Sequence, residues 1–240
     1  MLQTRDSIRT LSTWIQPQHL QEDVLFSYRK SFEEHPARFV VLKQFLTDPM
    51  AERLAKFLKD EAEFRSEYGL YSVEDEAVSE EKWQVATDED RFFRLSKITG
   101  APPQYRLSPN MLTYLQFRRA FQTEGFKSFF EELSGMELGW SDDFGSHSMK
   151  AGDFLRAHND DNRNRRIALV IYLTPGWEPA FGGTLNIVDA QGRASKVEAE
   201  YNSMVVFDVA AGTTHFVEPI DPAAADRTRL TIGGWYHKPA

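Results

Sequence analysis

The sequence predicts a mainly β fold with supporting helices (α+β), in which short strands form a sandwich or barrel. Two observations support this. Apolar residues recur at helical spacing before Gly135, whereas after it short β-branched and aromatic runs are separated by Gly, Pro, Asn and Asp. The 240 residues contain no internal repeat and no low-complexity linker. We therefore expect a single domain spanning 1–240, with helical support, early strands and an acidic loop in about 1–135 and the β core in about 136–240.

The first predicted helix follows a short apolar strand at Phe39–Leu42. Asp48 is suited to cap this helix, and Pro49 is suited to its first position. The apolar side chains that follow at i, i+4, i+7 and i+8 lie on one helix face. They are Met50, Leu54, Phe57 and Leu58.

Two further helices are predicted before the change of pattern. One begins at Ser108-Pro109, and the other begins at Thr123 and ends at Gly135, a residue suited to a helix C-terminus. Between the first and second helices, residues 74–90 contain eight acidic side chains and one lysine. This composition is typical of a solvated loop, and the alternative is a mobile lid over a pocket.

Five strands are predicted after Gly135, each bounded by turn-forming residues. They are 167–173, 184–188, 203–207, 215–217 and 230–236. Side chains alternate between the two faces of a strand. In 167–173 the larger aliphatic residues therefore take one face, and Ala168, Val170 and Tyr172 take the other.

Composition and charge exclude several kinds of site. There are no cysteines, so disulfides, thiolate metal sites and cysteine nucleophiles are excluded, and any metal must be held by His, Asp or Glu. The formal net charge of −8 argues against a nucleic-acid-binding protein. The first ten residues lack the apolar core of a signal peptide, and no apolar run reaches membrane-spanning length. We therefore expect a cytoplasmic protein with no membrane partner.

His158 and Asp160 form a candidate metal-binding pair. In an extended segment, residues two apart point to the same side, so both can reach one ion, whereas Asp161 has the wrong parity for this role. A later histidine, His215, follows an apolar strand and completes a set of two histidines and one carboxylate. This set is typical of non-haem iron(II) oxygenases. The alternatives are a loop histidine beside a capping aspartate, and for His215 a partly exposed strand histidine.

The other four histidines are expected to lie outside this site. His147 sits in a stretch rich in serine and glycine and is predicted to be a loop residue. The remaining three, His19, His35 and His237, are predicted to be structural.

The last predicted strand carries a candidate anion site. Arg229 and Thr231 share a face with Gly233 and Trp235. A guanidinium that faces a barrel interior requires an anionic partner, and arginine is suited to pair with a carboxylate through two hydrogen bonds. Thr231 adds a hydroxyl donor, and Tyr172 adds a phenol on its own strand. The alternatives are an internal salt bridge for Arg229 and an ordinary core position for Tyr172.

These motifs occur together in a fixed order. His158-x-Asp160 is followed by Arg165-Arg166, Tyr172-Leu173, Gly182-Gly183-x-Leu185, His215 and the ending that runs from Arg229 to Pro239. In this order they resemble the prolyl-hydroxylase-like branch of the iron(II)/2-oxoglutarate-dependent dioxygenases. The closest resemblance is to the catalytic domain of eukaryotic ribosomal-protein prolyl hydroxylases, and it covers about 145–239.

The resemblance implies a fold, a site and a reaction. The fold is a double-stranded β-helix, or jelly-roll barrel. Iron(II) is held by His158, Asp160 and His215, and Arg229 and Tyr172 bind the distal carboxylate of 2-oxoglutarate. The reaction is hydroxylation by O2 with release of succinate and CO2, with L-ascorbate as a reductant. One residue departs from the family, because Met149 stands where a second tyrosine often lies nine residues before the metal histidine.

Three functions remain open from the sequence. The first is hydroxylation of a prolyl residue in a peptide or protein, as the resemblance implies. The second is hydroxylation of a free amino acid or other small molecule, which is consistent with a short chain. The third, of another class, is a β-barrel that binds a ligand without turnover.

Overall fold

The computed structural model describes residues 5–141, 145–160, 164–209 and 212–239. Within these ranges the helices are α1 Arg5–Trp14, α2 Glu22–Glu34, α3 Asp48–Lys56, α4 Glu80–Val85, α5 Pro109–Ala120 and α6 Glu124–Ser134. The strands are β1 Phe39–Leu42, β2 Glu63–Leu70, β3 Val73–Val78, β4 Arg91–Gly100, β5 Gly145–Met149, β6 Phe154–His158, β7 Arg165–Tyr172, β8 Leu185–Val188, β9 Ala194–Val197, β10 Ser203–Asp208, β11 Thr214–Val217 and β12 Arg229–His237.

The three predicted helices are present, and local sequence explains their ends. Thr47 precedes α3, so the predicted cap Asp48 is the first helical residue instead. The Ser108 hydroxyl accepts a hydrogen bond from the Met111 amide at 3.0 Å and caps α5. Gly135 ends α6 in a left-handed conformation, with φ of 69°, which glycine adopts without strain.

The prediction of a loop at 74–90 was wrong. The segment contains most of β3, which pairs with β2, and the short helix α4. Ser79 caps α4 by accepting a hydrogen bond from the Lys82 amide at 3.3 Å. Trp83 on α4 is buried, with its ring 5.5 Å from that of Tyr68. This single aromatic anchor, together with strand pairing, orders a segment whose composition is otherwise that of a loop.

The strands form one antiparallel sheet that confirms the predicted jelly-roll barrel. Its order is β1-β10-β7-β12-β5-β4-β6-β11-β8-β9, and β2 extends it by pairing with β3 and β4. β4 pairs with both β5 and β6 and so connects the two halves of the sheet. Strands from the first third of the chain, β1 and β4 among them, are therefore integral to the sheet.

Two apolar clusters lie on opposite faces of this sheet. The first packs the helices against the outer face, and its β7 members Ile167, Leu169 and Ile171 alternate with the inward-facing residues as the sequence predicts. The second fills the barrel and joins Ala168 and Tyr172 of β7 to residues of β8 and β11. This interior cluster places the two halves of the sheet face to face.

Strand β5 corrects the loop prediction for His147. The residue pairs with Thr231 of β12 and with Lys97 of β4. Its neighbours in sequence are small and polar, so the strand is defined by its two partners and not by its own pattern. In the described part of the chain, no helix is long and apolar enough to cross a membrane.

Candidate metal centre and adjoining anion pocket

The three predicted metal ligands lie together at one end of the barrel. His158 ends β6 and pairs in register with His215 of β11, which brings their ring centroids to 4.1 Å. Asp160 follows two residues after His158. One ligand atom from each of the three side chains lies within 4.8 Å of the other two. The rival ligand Asp161 lies outside the described residues.

Hydrogen bonding fixes which nitrogen of His158 faces the site. Its Nδ1 lies 2.9 Å from the carbonyl oxygen of Arg156, to which it donates. The other ring nitrogen, Nε2, therefore carries the lone pair that can bind a metal ion, and it lies 3.9 Å from Asp160 Oδ1. His215 presents its own Nε2 at 3.4 Å from Asp160 Oδ2.

Two side chains hold the Asp160 carboxylate from behind. Arg165 Nη1 donates to Oδ1 at 2.8 Å, and Trp235 Nε1 donates to Oδ2 at 3.0 Å. The Arg165 guanidinium also stacks over the Trp235 ring, 3.6 Å from its centroid. Each carboxylate oxygen therefore has a fixed partner, and the carboxylate orientation is set before any ion binds.

Electrostatics keep the ligands in the forms that bind metal. Burial alone would raise the pKa of Asp160, but the hydrogen bond and charge of His215, with His158 and Arg165, lower it below its ordinary value. Burial, reinforced by His215, lowers the pKa of His158 to about 4. At neutral pH the site therefore offers a carboxylate and a neutral imidazole, which are the states that coordinate cations.

The residues predicted to bind an anion are buried in the barrel, and we refer to their surroundings as the anion pocket. Arg229 is 4% exposed, and its guanidinium lies 4.9 Å from the centroid of the Tyr172 ring. Arg229 Nε and Tyr172 Oη are both buried and have no hydrogen-bond partner within the described residues. The nearest polar contact of the guanidinium is weak, from Nη1 to the Met149 sulfur at 3.7 Å. No internal salt bridge to Arg229 is present among the described residues, so its charge is available to an anion.

Thr231 and Gly183 complete this pocket. Thr231 is buried and pairs in register with Tyr172 across β12 and β7. Gly183 has a φ of 71°, and a side-chain carbon there would lie 2.8 Å from Arg229 Cδ. A side chain at position 183 would therefore clash with Arg229, so this position requires glycine.

The pairing of Trp235 with Asp160 was not predicted from the sequence. Sequence alternation places Trp235 on the inner face of β12, but its partner lies 75 residues away. Arg165 was noted only through the family resemblance. Strand register explains both contacts, because Trp235 pairs with Ala168, three residues after Arg165 on β7, and this register is not visible in the sequence alone.

Residues 144–237 match the model of the 2OG-Fe(II) oxygenase superfamily. A curated relative, the prolyl 3-hydroxylase OGFOD1 of Mus musculus, is 28% identical over 128 residues, which is 51% of this chain and 23% of that protein. The prolyl 3,4-dihydroxylase OGFOD1 of Ostreococcus tauri is 27% identical over 140 residues, or 53% of this chain and 27% of that one. The chain thus matches about a quarter of the length of these relatives.

Solved structures share the fold. A prolyl hydroxylase from Trichoplax adhaerens, in complex with a hypoxia inducible factor oxygen degradation domain peptide, superposes with a TM-score of 0.61 at 14% identity and covers 90% of each chain. A prolyl-4-hydroxylase from Pseudomonas putida gives a TM-score of 0.54 at 19% identity and covers 90% of this chain and all of the other. The jelly-roll fold and the family match agree: residues 144–237 are similar to the 2OG-Fe(II) oxygenase superfamily.

Proposed function

We propose that this chain is an iron(II)- and 2-oxoglutarate-dependent oxygenase that hydroxylates its substrate and releases succinate and CO2. The observation that carries the proposal is the convergence of His158, Asp160 and His215 within 4.8 Å of one another. Two histidines and one carboxylate occupy three positions of an iron ion and leave the others for ligands. The barrel interior beside them is apolar, which limits access of water.

The proposed roles follow from the contacts of each residue. The three side chains would hold iron(II), with Arg165 and Trp235 orienting the carboxylate. Arg229, with Tyr172 and Thr231, would hold the distal carboxylate of 2-oxoglutarate, because its buried charge otherwise lacks an anion. Bound iron and 2-oxoglutarate together supply the oxidation of the substrate by O2. The protein supplies orientation and charge.

For the substrate we propose a prolyl residue in a peptide or protein. The support is that the two curated relatives described above are named prolyl hydroxylases, and that a neighbour in fold was solved with a peptide. The dependence on L-ascorbate and the cytoplasmic location stay predictions of the sequence. The following experiment distinguishes a prolyl substrate from a free amino acid.

The test is to incubate the iron-loaded protein with 2-oxoglutarate and either proline-containing peptides or free amino acids. Succinate release with a mass increase of about 16 Da on a peptide, the mass of one oxygen atom, supports the proposal. If only a free amino acid gains this mass, the substrate is a small molecule and not a peptide. No iron-dependent succinate with any substrate indicates a ligand-binding barrel.

The variant His158→Ala tests the metal assignment in the same assay. We expect it to lose succinate release almost completely, because one of three protein ligands is removed. His35→Ala is a matched control, since His35 is a partly buried histidine on another part of the chain. If His158→Ala releases succinate as fast as the parent, the assignment is wrong.

A further inference from the structure

His147 lies on the face of β5 that lines the barrel interior. Its neighbour Ser146 faces the helices, since the Ser146 hydroxyl donates to the phenol of Tyr114 on α5 at 3.0 Å. Alternate residues of a strand point to opposite faces. His147 and Met149 therefore share the inner face, and Met149 contacts the Arg229 guanidinium.

The position of His147 is beside the anion pocket. It pairs in register with Thr231, which in turn pairs with Tyr172 on its other side. Neither ring nitrogen of His147 has a hydrogen-bond partner within the described residues. Its other strand neighbour, Lys97, is paired with Glu67 at 2.9 Å, so the lysine is already engaged. His147 is only partly buried, so its inward-facing imidazole is open to a molecule that enters the barrel beside Thr231.

Met149 provides no hydrogen-bond donor to the anion pocket. A thioether is only a weak acceptor and cannot donate. The neighbouring inward position on the same strand, two residues earlier, is His147, whose imidazole carries an N–H.

We propose that His147 donates a hydrogen bond to the distal carboxylate of 2-oxoglutarate. This inference rests on the proposed function and deepens its cosubstrate site. A carboxylate offers about four acceptor positions, so it can accept from Arg229, Tyr172 and His147 together. Burial, together with the charges of Lys97 and Arg229, lowers the pKa of His147 to about 4. The imidazole is therefore neutral near pH 7 and needs no counter-ion before the ligand arrives.

The test measures binding, and not turnover, with the iron(II)-loaded protein under anaerobic conditions. His147→Phe keeps a ring and removes the N–H, whereas His147→Gln keeps a donor. We expect His147→Phe to raise the Kd for 2-oxoglutarate about tenfold, in line with the loss of a hydrogen bond to a charged group, and His147→Gln to raise it less. His35→Phe is the matched control and should leave the Kd unchanged.

Pyruvate distinguishes a direct contact from damage to the barrel, because it has the 2-oxo acid group and lacks the distal carboxylate. His147→Phe should bind pyruvate as the parent does. Equal weakening of both ligands, or an unchanged Kd for 2-oxoglutarate in both variants, overturns the inference. As a second measurement, Met149→Tyr added to His147→Phe should recover affinity, since it supplies a phenol. A parent that binds iron but not 2-oxoglutarate overturns the proposed function itself.

Discussion

The two halves of the site differ in how far the protein satisfies its own polar groups. At the metal centre two of the three ligands are oriented by other groups: Asp160 has a donor on each oxygen, and His158 donates to a backbone carbonyl. In the anion pocket Arg229 Nε and Tyr172 Oη are buried, and neither has a hydrogen-bond partner in the described part of the chain. Both regions are formed by neighbouring strands of one barrel.

The difference indicates two ways of preparing a site. A metal ion requires fixed ligand geometry, so its ligands are held by other side chains before it binds. A carboxylate ligand is itself the partner of the buried guanidinium, so the protein leaves those donors unpaired. Unpaired buried donors destabilise the protein in the absence of ligand, and this stability is recovered on binding. The following variants separate the two cases.

The largest effect on the anion pocket is expected from Arg229→Ala. Removing the cation that meets a buried carboxylate costs about 3 kcal/mol, which corresponds to an increase of about 100-fold in the apparent KM for 2-oxoglutarate. Iron affinity should not change, because the guanidinium contacts none of the three metal ligands among the described contacts. Succinate release measured against 2-oxoglutarate concentration gives the KM. Arg227→Ala, an exposed arginine two residues away, is the control. An unchanged KM in Arg229→Ala would remove this residue from the pocket.

Trp235→Phe addresses the metal centre and is expected to have a smaller effect. It removes the donor to Asp160 Oδ2 and keeps an aromatic ring beneath the Arg165 guanidinium. Loss of a contact that orients a metal ligand lowers metal affinity about tenfold. The measurement is iron(II) binding under anaerobic conditions, with Trp140→Phe as a control at an exposed tryptophan. A change in the KM for 2-oxoglutarate at saturating iron would contradict the separation of the two regions.

The sequence predicts those parts of this fold that local periodicity defines. The two faces of β7 follow from the alternation of Ala168, Val170 and Tyr172 with larger aliphatic residues, and the ends of α5 and α6 follow from Ser108 and Gly135. Each of these features depends on residues close together in the chain. The register of the barrel brings His158 and His215 together, and the order of the motifs anticipated this pairing.

The features that were missed depend on contacts between distant residues. β5 has a serine- and glycine-containing sequence, and its strand character comes from pairing with β4 and β12. The order in 74–90 comes from pairing of β3 with β2 and from the buried ring of Trp83. The hydrogen bond from Trp235 to Asp160 joins residues that are 75 positions apart in the chain. Pattern analysis of a single sequence contains no information on such partners.

The smallest and most diagnostic change is Tyr172→Phe, which removes one hydroxyl from the anion pocket. Because this buried hydroxyl has no partner within hydrogen-bonding distance among the described residues, its removal should increase the free energy of unfolding by about 1 kcal/mol. The same variant should bind 2-oxoglutarate several-fold more weakly. Urea unfolding without ligand measures the expected gain in stability, and titration with 2-oxoglutarate measures the expected loss of affinity. Trp235→Phe should instead lower stability, since it removes a 3.0 Å hydrogen bond to the buried Asp160 carboxylate. If Tyr172→Phe lost stability as Trp235→Phe does, the Tyr172 hydroxyl would have a partner in the folded protein, and the two regions would not differ in the way the contacts indicate.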